Sequence, residues 1–342
     1  MKRTILFLLV LLAVCNPLQA AFQNPASNIL SRAAYSASQS AYLNPVYLWA
    51  NEAEGLIGGG VLGTGKAFYV DSGATGSAVG TSWTNAALTI DAAIGFCTAS
   101  RGDIIYVAQG HSDAIASATG LVCDVAGVSI IGVGNGSLMP TISLGTATTA
   151  TISVTAANVR ISNIKVISAF ANVAEAINLV GAGASGAVID NCIICDGGTA
   201  ILELNVGISV DADADNIRII NNQFYTFPGG AGLNAILLAG GSDNSVIAGN
   251  TIYGTYTTGG VLASAAASVN LTVTDNVIGA IDAIAWDNHA STTGLFARNL
   301  LGANTTSIAA ALTGVEAMFC FENYVTGALG ASGIIYPAVD SD

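Results

Sequence analysis

Ile217-Arg218-Ile219-Ile220-Asn221-Asn222, then Val246-Ile247-Ala248-Gly249-Asn250, then Leu271-Thr272-Val273-Thr274-Asp275-Asn276: each is a short β-branched burst that ends in a polar corner. The same figure appears upstream in Val128-Ser129-Ile130-Ile131, Val159-Arg160-Ile161-Ser162-Asn163 and Val188-Ile189-Asp190-Asn191, and downstream in Phe296-Ala297-Arg298-Asn299 and Phe321-Glu322-Asn323. Asn163, Asn191, Asn222, Asn250, Asn276, Asn299 and Asn323 recur at intervals of 23 to 31 residues. That interval is the length of one coil of a parallel β-helix, in which each turn adds one stripe to a shared core. Asparagine suits a corner because it tolerates a left-handed backbone. Stacked on its equivalents, its amide can also donate and accept along a ladder, so the seven asparagines read as structural. Scarce leucine argues against leucine-rich repeats, and the β-branched content against helical ones.

Composition agrees with this reading. The chain has 342 residues, 52% of them hydrophobic and only 9% charged, with 40 glycines. That is too apolar for disorder and too poor in charge for a surface of helices. A surface of Ser, Thr, Asn, Gly and Ala suits flat stacked strands, where long charged side chains would lose rotamer freedom. The net charge of −13 makes nucleic acid a poor partner.

Residues 1–20 read as a secretion signal: Lys2 and Arg3, an apolar run from Thr4 to Val14, and a small residue at Ala20. The run is too short to span a bilayer comfortably, so no transmembrane span is expected after cleavage. Residues 21–66 carry no sustained period and read as an arm or linker anchored by Tyr42, Tyr47 and Trp49. The β-helix domain is placed at 67–342. Trp83, Ala87, Ile90, Ile94 and Cys97 follow at helical spacing, which predicts an amphipathic capping helix near 82–98 with Ser82 at its start. An open solenoid end needs such a plug. The expected fold is all-β, a right-handed single-stranded parallel β-helix (solenoid) with an N-terminal amphipathic capping helix.

Past the leader stand Cys97, Cys123, Cys192, Cys195 and Cys320, an odd set that cannot all pair internally. Cys192 and Cys195 have a zinc-like spacing, but no second pair accompanies them, and buried thiols are the preferred reading. Cys97 with Cys123 is the expected disulfide in an oxidising compartment. Asp211, Asp213 and Asp215 alternate; in a strand they would share a face and offer three oxygens to Ca²⁺, while an acidic turn is the plainer reading. Asp282, Asp287, His289 and Arg298 form a second polar group. Trp286, Tyr253 and Tyr256 are candidates for stacking on sugar rings or for filling corners. Arg160, Lys165 and Arg218 read as outward partners of Asp190 or Asp215.

Three segments carry a resemblance: Leu88-Thr-Ile-Asp-Ala-Ala-Ile94, Gly102-Asp-Ile-Ile-Tyr-Val-Ala-Gln-Gly110 and Val128-Ser-Ile-Ile-Gly-Val-Gly-Asn-Gly-Ser137. Together they resemble the opening of pectin-lyase-like β-helix proteins, over residues 67 to 145. Phe68-Tyr-Val-Asp-Ser72 and the Gly110-His111 turn look closest to β-helix structural proteins of tailed bacteriophages. This resemblance implies a virion or extracellular structural protein. Polysaccharide lyases and hydrolases on such a fold use clustered carboxylates with Ca²⁺, or paired Asp with Arg or Lys. This sequence has no adjacent Asp pair, no Gly-His-Gly and no Arg-x-Lys. Separately, Phe68-Tyr-Val-Asp71-Ser-Gly-Ala-Thr75 resembles the active-site stretch of retroviral-type aspartic proteases, with Ile130-Ile-Gly132 as the second motif.

The leading expectation is therefore a non-catalytic structural or adhesive protein, exported or virion-associated, whose faces bind glycans, a cell surface or identical subunits. No cofactor is called for, with Ca²⁺ at Asp211, Asp213 and Asp215 as the one candidate ion. A polysaccharide lyase or hydrolase is the alternative, and a retropepsin-like protease acting through Asp71 ranks third.

Overall fold

The computed structural model describes residues 65–199, 201–227, 230, 232–280, 283–303 and 311–326. The expected leader, nearly all of the arm, Asp282 and the last sixteen residues lie outside this set. Within it the chain, from strand Ile104–Val107 onward, winds through three parallel sheets in rotation, first, second, third and back to the first; Ala67–Val70 adds one more strand to the first sheet ahead of the cap. The first sheet has ten strands, from Ala67–Val70 to Met318–Phe321; the second nine, from Ser112–Ile115 to Tyr324–Thr326; the third eight, from Leu121–Cys123 to Leu312–Thr313. This is the expected parallel β-helix, right-handed as crossover connections between parallel strands are.

Periodicity becomes packing because equivalent residues stack in register. In the first sheet Phe68, Ile105, Ile130, Ile161, Ile189, Ile219, Ile247, Val273 and Phe296 form one inward column. All are buried. Burying each such side chain stabilises the fold by about 1.5–3 kcal/mol relative to leaving it in water. Asp190, Ser162 and Thr274 alternate with this column and point the other way.

The corner after each of the last seven first-sheet strands uses two adjacent columns. Asn163, Asn191, Asn221, Gly249, Asp275, Arg298 and Glu322 take the left-handed backbone, with φ between 53° and 65°. The residue after each of them turns inward, and there the ladder forms. Asn222 donates through its backbone N and Nδ2 to Asn250 Oδ1 (2.9 and 3.1 Å), and the pattern repeats from Asn250 to Asn276, Asn276 to Asn299 and Asn299 to Asn323. The expectation that seven asparagines occupy one position is thus corrected. Asn163 and Asn191 belong to the left-handed column, and Ile164 and Cys192 hold the ladder position in their coils. The two columns are neighbours in sequence, and an Asn-Asn step such as Asn221-Asn222 hides which amide turns in.

The cap is also smaller than its spacing predicts. Only Ile90–Ile94, here α1, is helical, and Thr89, not Ser82, caps it by accepting from Ala92 N. Residues 71–88 form a loop instead, and Trp83 is exposed, stacking edge-on against Tyr69. Ala87, Ile90, Ala93 and Ile94 still cover the core end as their period requires. The loop pairs with the first strand, because Tyr69 N donates to Gly80 O, Asp71 N to Ala87 O and Ala87 N to Tyr69 O. A clamp completes the end: the Asp103 carboxylate, 0% exposed, accepts from Lys66 N, Thr98 N and both Arg101 Nε and NH2 at 2.6–2.8 Å.

Candidate functional site

The acidic triplet does not share a strand face. Asp211, Asp213 and Asp215 lie in a turn, with Ala214 N bonded to Asp211 O and Asp213 in the left-handed region at φ 65°. The Asp215 carboxylate is occupied by Asp243 N at 2.7 Å. Among the described residues no three His, Cys, Asp or Glu side chains converge as a metal site would need. The plainer of the two readings, an acidic turn, is the arrangement found, and the strand geometry offered for Ca²⁺ is not.

The second polar group is dispersed as well. Trp286 is fully buried and meets Phe296 edge-on with ring centroids 5.5 Å apart, so it fills the core and offers no platform. Asp287 points outward from the same strand and accepts from Thr313 Oγ1. His289 sits in the following turn, where Nδ1 accepts from Ser291 N. Arg298 is committed to Asp275 through two bonds of 2.7 Å, and Asp282 lies outside the described residues. Of the expected outward pairs, Arg160 grips Asp190 through two bonds of 2.8 Å.

The remaining sequence candidates resolve in the same way. The Asp71 carboxylate accepts from Gly73 N, and both motif segments of the protease reading belong to the first parallel sheet, which corrects that reading. All five described cysteines are free thiols, so Cys97 and Cys123 are not bonded. Cys192 turns inward to the ladder and Cys195 outward, which separates the zinc-like pair. Burial pushes the thiols of Cys97, Cys123 and Cys192 up to about 12, so they are inert at neutral pH.

What the coils do assemble is a face on the outside of the second sheet. Two outward columns run from Ser112 to Tyr324 and from Ala114 through Tyr225, Tyr253, Gly279 and Gly302, and their one charged member is Lys165. Tyr225 and Tyr253 are register neighbours, 39% and 63% exposed, while Tyr256 is buried at 4%. A Cβ added at Gly279 would lie 3.4 Å from the Tyr253 ring, so that ring stands beside a strand position without a side chain. The Tyr225 hydroxyl bonds to the Cys195 thiol below it, and burial with that contact pushes Tyr225 up to about 12. Tyr225 therefore presents a neutral ring at neutral pH. Tyr225 escaped the sequence reading, although it stands one coil before Tyr253 at an equivalent position.

Asp196, also missed, lies at the rim of this face. Its carboxylate is 3% exposed and accepts from Leu204 N at 2.9 Å and Phe227 N at 3.1 Å, so it staples two successive loops. Burial raises its affinity for a proton despite those two bonds. Beside it a cavity of about 10 Å³, lined by Phe224, Thr226, Asn234 and Tyr256, has the size of one water molecule.

No helix among the described residues is long and apolar enough to cross a membrane. No family model matches the chain, and no curated protein matches it. Among solved structures the chain is similar to one described as a rhamnogalacturonan lyase, at 14% identity and a TM-score of 0.40, covering 80% of this chain and 66% of that one.

Proposed function

We propose that this chain is a non-catalytic adhesive or structural β-helix, exported or displayed on a virion, which holds glycan rings against the outer face of its second sheet. The observation that carries the reading is the in-register pair Tyr225 and Tyr253 beside the bare strand positions Gly279 and Gly302. An exposed aromatic ring next to a glycine floor offers an apolar surface with a polar rim, which suits the C–H face and hydroxyl edge of a sugar. The columns around it carry Gln223 and Thr251 and no carboxylate, so uncharged glycans suit the face better than cations do.

A glycan array on the full chain, with and without Ca²⁺, tests this. Binding is expected without Ca²⁺ and without cleavage, and Tyr253→Ala should weaken it at least tenfold, the order of 1–2 kcal/mol for one stacking ring, with unchanged thermal stability. Absence of any binding would leave a purely structural or self-associating role. The enzymatic alternative, a polysaccharide lyase or hydrolase, would need a carboxyl at this face, and Asp196 at its rim is the residue to substitute. Product release that disappears in Asp196→Asn while glycan binding persists would establish it.

A further inference from the structure

The N-terminal end of the solenoid is closed by the 71–88 loop and by α1, and one pair of residues holds both. His111, whose side chain is 0% exposed, accepts from Ser72 N through Nδ1 at 2.9 Å. Asp113, two residues on, accepts from Ile90 N, at the start of α1, through Oδ2 at 3.1 Å. The loop gains a second tie where Ser112 N donates to Ser72 Oγ at 3.3 Å. His111 and Asp113 lie outside the outward columns of the second sheet, and Ser112 only heads one of them, several coils from Tyr225 and Tyr253.

We propose that His111 is an acid-sensitive latch, whose protonation releases the 71–88 loop and uncovers the free edge of the first sheet. A neutral imidazole has one donor and one acceptor nitrogen. Because Nδ1 accepts the Ser72 N–H, the ring proton resides on Nε2. Among the described residues that Nε2 meets no hydrogen-bond partner, and it stops 3.9 Å from Asp113 Oδ2, beyond hydrogen-bond reach. A second proton must enter at Nδ1, where it meets the Ser72 N–H donor to donor. The resulting imidazolium is at the same time drawn toward Asp113. Protonation therefore opposes the loop contact and favours the carboxylate contact, so the ring changes allegiance from one to the other. The charged groups on the elements around it are Asp113 on its own strand, Asp71 on the loop and Asp91 on α1, all acidic, with Asp91 engaged by Val122 N. None of them disfavours an imidazolium.

The consequence follows from where the loop lies. Gly80 and Ala87 occupy the backbone donors and acceptors along the outer side of strand Ala67–Val70, where a further strand would otherwise pair. Freeing Ser72 loosens the segment that covers this edge, while α1 stays held by Asp113. Burial works against the Asp113 charge, but the His111 ring and the Ile90 N–H outweigh it and hold the carboxyl below its ordinary range.

Amide hydrogen exchange by NMR on the full chain, corrected for intrinsic rates, tests the latch between about pH 7.5 and about pH 5, the span in which histidine switches. Protection at Ser72, Asp71 and Ala87 should fall at least tenfold, while Ile161 and Ile189 in the middle coils keep theirs. His111→Gln retains an acceptor for Ser72 N and carries no titrating group, so its loop protection should be independent of pH. Unchanged wild-type protection, or an equal fall in His111→Gln, would overturn the proposal. Ring ¹⁵N shifts of the wild-type protein give a second readout that needs no variant. They should report a neutral Nε2–H ring at the upper pH that charges as the loop opens, and a ring that charges while Ser72 stays protected would equally refute the latch.

Discussion

Asn250 shows how much one side chain does at the residue scale. It accepts from the backbone and side chain of Asn222 and donates to Ile219 O and to Asn276 Oδ1, all within a buried corner. Removing it strands several buried polar groups at once, so Asn250→Ala should cost about 2–3 kcal/mol in urea denaturation. Cys192 heads the same column, and its thiol points to Ile161 O as each ladder amide points to the equivalent carbonyl one coil back. Cys192→Asn should therefore extend the ladder and stabilise the fold by about 1 kcal/mol. Asp196 gives a pH signature. Burial raises its proton affinity in the folded state, so folding is favoured where the carboxyl is protonated. That contribution is complete below the unfolded value of about 3.9 and is lost as pH rises through the folded one. Wild-type stability relative to Asp196→Asn should fall with rising pH across this window, and a flat or rising difference would count against the assignment.

At the scale of elements, the N-terminal clamp and the third-sheet core behave oppositely to their appearance in sequence. Asp103 stands in sequence only within the Gly102-Asp-Ile-Ile-Tyr-Val motif, yet it holds Lys66, Thr98 and Arg101 together from a fully buried position. Asp103→Ala leaves Arg101 and two amides without an acceptor and should cost about 3–5 kcal/mol, the usual penalty for breaking a buried pair. Burial opposes the charge on Asp103, but Arg101 and the amides of Lys66 and Thr98 outweigh it and hold the carboxyl low. Its contribution is thus present above the ordinary carboxylate range and lost as pH falls. Trp286, by contrast, reads in sequence either as a stacking platform beside Asp287 and His289 or as a filler, and it lies in the core against Phe296. Trp286→Ala should cost about 3–5 kcal/mol, and a milder variant that folds, Trp286→Phe, should bind glycans like the wild type. Loss of binding in that variant would return Trp286 to the site.

At the scale of the whole solenoid, the described coils form a stack in which each touches only its neighbours, so its stability is the sum of coil and interface terms. Its three outer faces differ. Arg160 and Asp190 pair on the first, Tyr225 and Tyr253 stand on the second, and Asp287 with Thr313 lies on the third. Function on such a scaffold depends on side chains one coil apart, and no single stretch of sequence contains a site. With the acidic turn at Asp211 to Asp215 spread over a bend, millimolar Ca²⁺ or a chelator should leave the melting temperature unchanged. A Ca²⁺-dependent rise would require a site outside the described residues.

The sequence by itself determined the coil. Period, β-branched bursts and corner asparagines are local features, and a parallel β-helix repeats local features, so the architecture and its core columns were legible from residues such as Ile161, Ile189 and Ile219. The end plug was legible as an apolar face, though not in its length, because Thr89 and Asp113 fix where the helix starts and the second of these arrives from another coil. Tertiary structure alone decided which asparagine of each corner turns in, since Asn221 and Asn222 differ only in backbone φ and in what lies one coil away. It alone brought Tyr225 beside Tyr253 and His111 beneath Ser72, residues 28 and 39 positions apart. Register between coils sets those contacts, and register follows from loop lengths summed around each turn, a quantity that no local pattern records.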